Sequence, residues 1–119
     1  MEKTVVGLVE KVKVKGKEVT ARIDTGAEHN SIDKELASKL KLGPVIKTIL
    51  IRSASSNFVC PKCGYKRKQA KRPVIEAEIN IKGRIIKSKF NIAERKHMKY
   101  KILIGQDILK HGFLIDPSK

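Results

Sequence analysis

The chain has no tryptophan, and aromatic residues make up only 4% of it. A surface that stacks successive nucleotide bases needs rings, and between residues 53 and 72 only Phe58 and Tyr65 supply any. Cysteine is scarce too: two in 119 residues is not a disulfide framework. No run approaches the ~20 apolar residues of a membrane helix. The N-terminus, MEKTVVGLVEKVKVKG, lacks the apolar block of a secretory leader. These absences predict a cytoplasmic chain with no membrane partner.

Acid is the next shortage. Residues 1–40 carry eight Lys/Arg against seven Asp/Glu, but residues 41–119 carry nineteen against five, a balance of +14 out of a total of +15. A basic half suits an acidic partner: nucleic acid, an anionic surface or an acidic peptide. It also suits a solvated Lys-rich surface, since Lys outnumbers Arg by 21 to 6.

What the chain does have is 40% hydrophobic residues, mostly Val, Ile and Leu in short runs. Such runs favour strands over helices. TVVGLVEKVKV at 4–14 reads as a strand, Lys15-Gly16-Lys17 as a turn, and Glu18 to Ile23 as the returning strand of a hairpin. Ser31 to Leu36 reads as a capped helical turn, with Ile32, Leu36, Ala37 and Leu40 on one face and Gly43-Pro44 as its stop. Val45 to Arg52 is a strand. Pro73 to Ile81 and Ile85 to Ile92 form a second hairpin around Lys82-Gly83. Tyr100 to Ile104 is a short buried strand, Gln106 to His111 a short helix with Gly112 at its C-cap, and Phe113 to Ile115 a last strand. One domain over 1–119 is expected, all-β, with seven or eight strands closed into a barrel and one or two short helices.

One stretch carries chemistry. VTARIDTGAEHNSI climbs an apolar strand to Asp24, followed at once by Thr25, Gly26 and Ala27. A carboxylate at a strand end, next to a Gly that admits a second backbone, is a way to present an acid in a groove. Asp-Thr-Gly alone is also a common surface turn. Its surroundings distinguish it: the strand is apolar up to Ile23, Ala27 leaves room, and a later apolar run, Ile102-Leu103-Ile104-Gly105, precedes Gln106-Asp107-Ile108-Leu109.

ARIDTGA followed by ILIGQDIL resembles the retropepsin-like aspartic proteases, with Gln106 where Arg is common. KRPVIEAEINIKG, NIAERKHMKYKILIGQDIL and GFLIDPS are similar to a bacterial and archaeal branch often labelled ATP-dependent zinc proteases. That branch includes a protease encoded with a ligase that adds glutamates to a ribosomal protein. The chain has neither a Gly-rich phosphate loop nor a His-Glu-x-x-His pair to match the label's ATP and zinc. The resemblance implies a closed acid-protease β-barrel and a peptidase that needs no cofactor. It assigns Asp24 as the catalytic acid, supported by Thr25, Gly26, Ala27, Ile104 and Gly105. The chemistry takes two carboxylates sharing one proton, and the chain has one Asp-Thr-Gly. A homodimer with two Asp24 on a two-fold axis is therefore expected.

Residues 53–72 differ in kind. They contain no acid, and by resemblance they tip the flap that closes over the cleft. Lys62, Lys66, Arg67, Lys68, Lys71 and Arg72 give the tip +6, a docking surface for an acidic peptide or RNA. Cys60-Pro61-Lys62-Cys63 has the spacing of half a zinc ribbon, and four ligands are normal. Three states fit: a zinc shared by four cysteines of two flaps, a local pair that is reduced or disulfide-bonded, and an inert pair. An alternative function is a catalytically silent module of this fold that docks on RNA or acidic partners through the basic tip.

Overall fold

In the computed structural model, which describes residues 3–51, 70–95 and 97–119, the described residues form nine strands and two short helices. In order these are β1 (Thr4–Val6), β2 (Val9–Val14), β3 (Lys17–Ile23), β4 (Asn30–Asp33), α1 (Lys34–Lys39), β5 (Val45–Ile51), β6 (Ala70–Ile81), β7 (Arg84–Ala93), β8 (Ile102–Ile104), α2 (Gln106–Leu109) and β9 (Phe113–Ile115).

Six strands close a mixed barrel in the order β2-β3-β8-β4-β7-β6, with β6 returning to β2 at Val12–Ile81 and Lys13–Asn80. The β3–β8 and β4–β7 pairs are parallel, and the other barrel pairs are antiparallel. β5 extends the sheet beyond β6, and β1 and β9 form a separate parallel pair. The two long hairpins turn on Lys15-Gly16 and Lys82-Gly83, both residues of each turn holding positive φ. Such turns match the twist of the flanking strands, and Gly adopts the second position without steric cost.

Period-two alternation decides what goes inside. Ala21 and Ile23 of β3 point inward while Thr20 and Arg22 are exposed, and Ile102 and Ile104 of β8 do the same on either side of Leu103. With Ile32, Ile75, Ile79, Ile81, Phe90 and Ile108 they make a core with almost no exposure. Each such side chain is worth about 1.5–3 kcal/mol in burial.

Three expectations need correction. The strand read over 4–14 is broken at Gly7-Leu8. Gly7 gives its N–H to the Glu10 carboxylate, 3.0 Å away, and β1 leaves the barrel to pair with β9. The first hairpin is thus β2–β3. The helical turn read from Ser31 begins at Lys34 instead, and Asn30–Asp33 is a strand threaded between β8 and β7. All four of its residues are buried, so it shows no alternation to read. The basic loop read over 53–72 is shorter at its C-terminal end, because Ala70, Lys71 and Arg72 already pair with β5 as part of β6.

Asp33 links β4 to α1. It is the N-cap: its Oδ2 accepts the Leu36 N–H at 3.4 Å, and its Oδ1 accepts the Arg95 N–H at 2.8 Å. Burial alone would raise its pKa. The Arg95 and Leu36 N–H groups, the Lys101 charge and the Glu35 N–H outweigh that and hold it below the ordinary aspartate value. A lowered native pKa means that the ionised carboxylate stabilises the fold. That contribution is complete above the unfolded value of about 3.9 and is lost as pH falls through the native value. Urea melts between about pH 5 and pH 2 should therefore show a steeper loss in the wild type than in Asp33→Asn. Parallel pH slopes would refute the assignment.

Candidate active site

β3 delivers Asp24 and β8 holds it. Ile23 pairs in register with Ile104, and the Asp24 N–H donates to the Ile104 carbonyl at 2.9 Å. The chain then closes tightly: Asp24 Oδ1 accepts the Gly26 N–H at 3.0 Å, and the Ala27 N–H donates to the Asp24 carbonyl at 3.3 Å. Asp24 is half-buried while Thr25 and Gly26 are exposed, so the acid sits at the lip of the barrel.

The first N–H groups of α2 have no partners within their own helix. They bind the loop instead. The Gln106 N–H donates to the Ala27 carbonyl at 2.8 Å, and the Asp107 N–H to the Glu28 carbonyl at 3.1 Å. The Gln106 side chain, standing where the resembled family commonly has Arg, donates from Nε2 to the Thr25 carbonyl at 2.8 Å. Gly105 makes this approach possible. A Cβ there would stand 2.5 Å from the His29 carbonyl oxygen and 2.7 Å from that of Ala27.

Asp24, Thr25, Gly26, Ala27, Ile104 and Gly105, the residues the resemblance singles out, thus lie together. Two further groups went unread. Asn30 is fully buried: its Oδ1 accepts the Gly105 N–H at 2.9 Å, and its Nδ2 donates to Ser88 Oγ and the Lys89 carbonyl. It ties loop, helix and β7 together from inside, and in sequence it is only one more polar residue after the DTGA turn. His29 Nδ1 lies 3.0 Å from Asp107 Oδ2 and joins the loop to α2 by side chains, a pairing of residues far apart in sequence.

Beside this loop lies a cleft of about 180 Å³, lined by His29, Lys47, Ile49, Val74, Lys89, Asn91 and Asp107. Lys71 and Arg72 stand on β6, not on a loop tip, and Arg72 reaches back to Asn91. Lys62, Lys66, Arg67 and Lys68, with Cys60 and Cys63, lie outside the described residues. Among the described residues no group of three or more His, Cys, Asp or Glu is placed to hold a metal ion.

A closed six-strand mixed barrel with Asp-Thr-Gly at the end of β3 and an Ile-Gly strand-to-helix junction clamped on it is the architecture of a retropepsin-like acid protease. Solved structures that share the fold include two examples. The Legionella pneumophila protein Lpg0085, described as of unknown function, aligns with a TM-score of 0.62 at 19% identity, covering 98% of this chain and 94% of its own. The solution structure of the simian foamy virus (mac) protease aligns at 0.60 and 16% identity, covering 86% and 91%. No curated protein matches the chain. The family model for RimB-like proteins, described as the retropepsin-like aspartic endopeptidase RimB, matches residues 28–119, and the chain belongs to that family. Its match begins just after the DTGA turn, so Asp24 rests on the geometry above.

Proposed function

We propose that this aspartic endopeptidase works as a homodimer in which Asp24 of each copy supplies one of two carboxylates sharing a proton. The observation that carries the reading is the fate of the four aspartates. Asp33 caps α1 and binds Arg95, Asp107 binds His29, and Asp116 accepts from Ser118. Asp24 follows β3 at the barrel lip, and its carboxylate accepts a hydrogen bond only from the Gly26 N–H of its own turn among the described residues. A second such carboxylate has to come from a second chain. The ionised member of the pair takes a proton from a bound water, the water attacks the peptide carbonyl, and the protonated member donates to the carbonyl oxygen. Thr25, exposed beside the acid, braces the partner's loop in this reading. The basic second half of the chain favours acidic peptides.

Dilution and poisoning test the dimer. Activity per chain on a cleavable peptide should rise with protein concentration. A ninefold excess of exchanged Asp24→Asn chains should reduce wild-type activity to about a tenth, since that is the share of active chains left in all-wild-type pairs at random mixing. Activity unchanged by the excess would rule out the shared site.

A further inference from the structure

The Asp24 carboxylate is oriented by one bond: Oδ1 accepts the Gly26 N–H at 3.0 Å. That N–H belongs to the Thr25–Gly26 peptide group, a planar trans unit whose carbonyl points the opposite way. On the far side of the plane the Thr25 carbonyl accepts from Gln106 Nε2 at 2.8 Å. Three groups are therefore linked in series: the Gln106 amide, the Thr25–Gly26 peptide and the Asp24 carboxylate. The Thr25 oxygen only accepts, so the Gln106 amide has to turn its NH₂, not its oxygen, toward it.

The peptide has no other hold. Thr25 and Gly26 are exposed, and among the described residues no hydrogen bond ties Gly26 to the barrel. The carbonyls of Asp24, Ala27 and Glu28 accept backbone N–H groups, whereas the Thr25 carbonyl is held by a side chain. A glycine on one side of the plane lets it rotate at little cost. Rotated, the plane would turn a carbonyl oxygen toward the carboxylate, and the two repel. The Gln106 side chain opposes that rotation. Its bond also polarises the peptide, which strengthens the Gly26 N–H as a donor to the ionised acid. Gln106 is itself fixed for this task, because its N–H donates to the Ala27 carbonyl at 2.8 Å. One residue thus grips the loop on both sides of Gly26.

We infer that Gln106 is a positioning residue: through the Thr25–Gly26 peptide, its side-chain amide sets the direction in which Asp24 presents its carboxylate. The inference rests on the peptidase reading for what the carboxylate does, and the geometry is testable apart from it.

Two variants separate the donor from the bulk of the side chain. Gln106→Met keeps the length and loses the donor, and Gln106→Arg supplies one again. On a cleavable peptide, Gln106→Met should lower kcat about tenfold with KM within about twofold of wild type. Gln106→Arg should return kcat to within about threefold. Both should melt within about 2 °C of wild type, since the side chain is exposed. A second readout needs no substrate: hydrogen exchange of the Gly26 amide, followed by NMR, should quicken about fivefold or more in Gln106→Met and stay near wild type in Gln106→Arg. Wild-type kcat in Gln106→Met, a fall in kcat that comes with a lower melting temperature or with unchanged Gly26 exchange, or an arginine variant no better than the methionine one would each overturn the inference. No cleavage by any of the three proteins, with Gly26 exchange quickened in Gln106→Met alone, sinks the peptidase reading and leaves the positioning geometry standing. Cleavage at wild-type kcat in both variants sinks the role of Gln106 alone.

Discussion

Asp24→Asn should lower kcat/KM on any cleavable peptide by about a thousandfold or more while the protein stays folded. The two halves of that expectation have separate causes. Asparagine keeps an oxygen where Asp24 Oδ1 accepts the Gly26 N–H, and the loop is otherwise held by backbone bonds from Asp24 to Ile104, from Gln106 to Ala27 and from Asp107 to Glu28. Its melting should therefore stay within about 1 kcal/mol of wild type. The chemistry, by contrast, needs one carboxylate to take a proton from water and another to give one. In the proposed dimer, replacing Asp24 in both copies removes base and acid together. Wild-type rates in the asparagine variant, measured on material free of contaminating peptidase, would end the assignment of Asp24.

Gly105→Ala should be the most damaging single methyl among the described glycines. The added Cβ meets the His29 and Ala27 carbonyl oxygens at 2.5 and 2.7 Å, and these are backbone atoms that no rotamer change removes. For the methyl to fit, α2 must withdraw from the loop. Withdrawal breaks the Gln106–Ala27, Asp107–Glu28 and Gly105–Asn30 bonds, and leaves the buried Asn30 oxygen unpaired. A loss of about 3 kcal/mol is expected, read in urea or thermal melts. Activity should fall further than stability, since the loop that moves is the one that positions Asp24. Gly26→Ala is the control: its Cβ would meet only Asp24 Oδ1, at 3.3 Å, and its cost in stability should be smaller. Equal melting of Gly105→Ala and wild type would show that the loop and helix are not locked as described.

Much of this site was legible in the chain because it is local. Residues 19–27 hold an alternating strand, an acid and a small-residue turn in unbroken order, and 102–109 hold an apolar strand, a glycine and a helix start. Resemblance then joined the two. β4 was not legible: with neighbours on both edges and all four residues buried, Asn30–Asp33 had no alternation, and its Ser-Ile-Asp-Lys-Glu order matches a helix cap just as well. The cap of that helix is Asp33, two residues beyond the Ser31 start that the sequence suggests.

The sequence by itself determined that an acid would follow the strand at 18–23, that an apolar strand ending in glycine would precede the last helix, and that the second half of the chain would be basic. These follow from side-chain period, turn chemistry and charge, all of which are properties of neighbouring residues. Only the tertiary structure decided what holds that acid in place. Asn30 and Gly105 are 75 residues apart and His29 and Asp107 are 78 apart, and the pairing of β8 with β3 and β4 brings both pairs together at the Asp24 loop, because residues joined across a sheet become neighbours however distant they are along the chain.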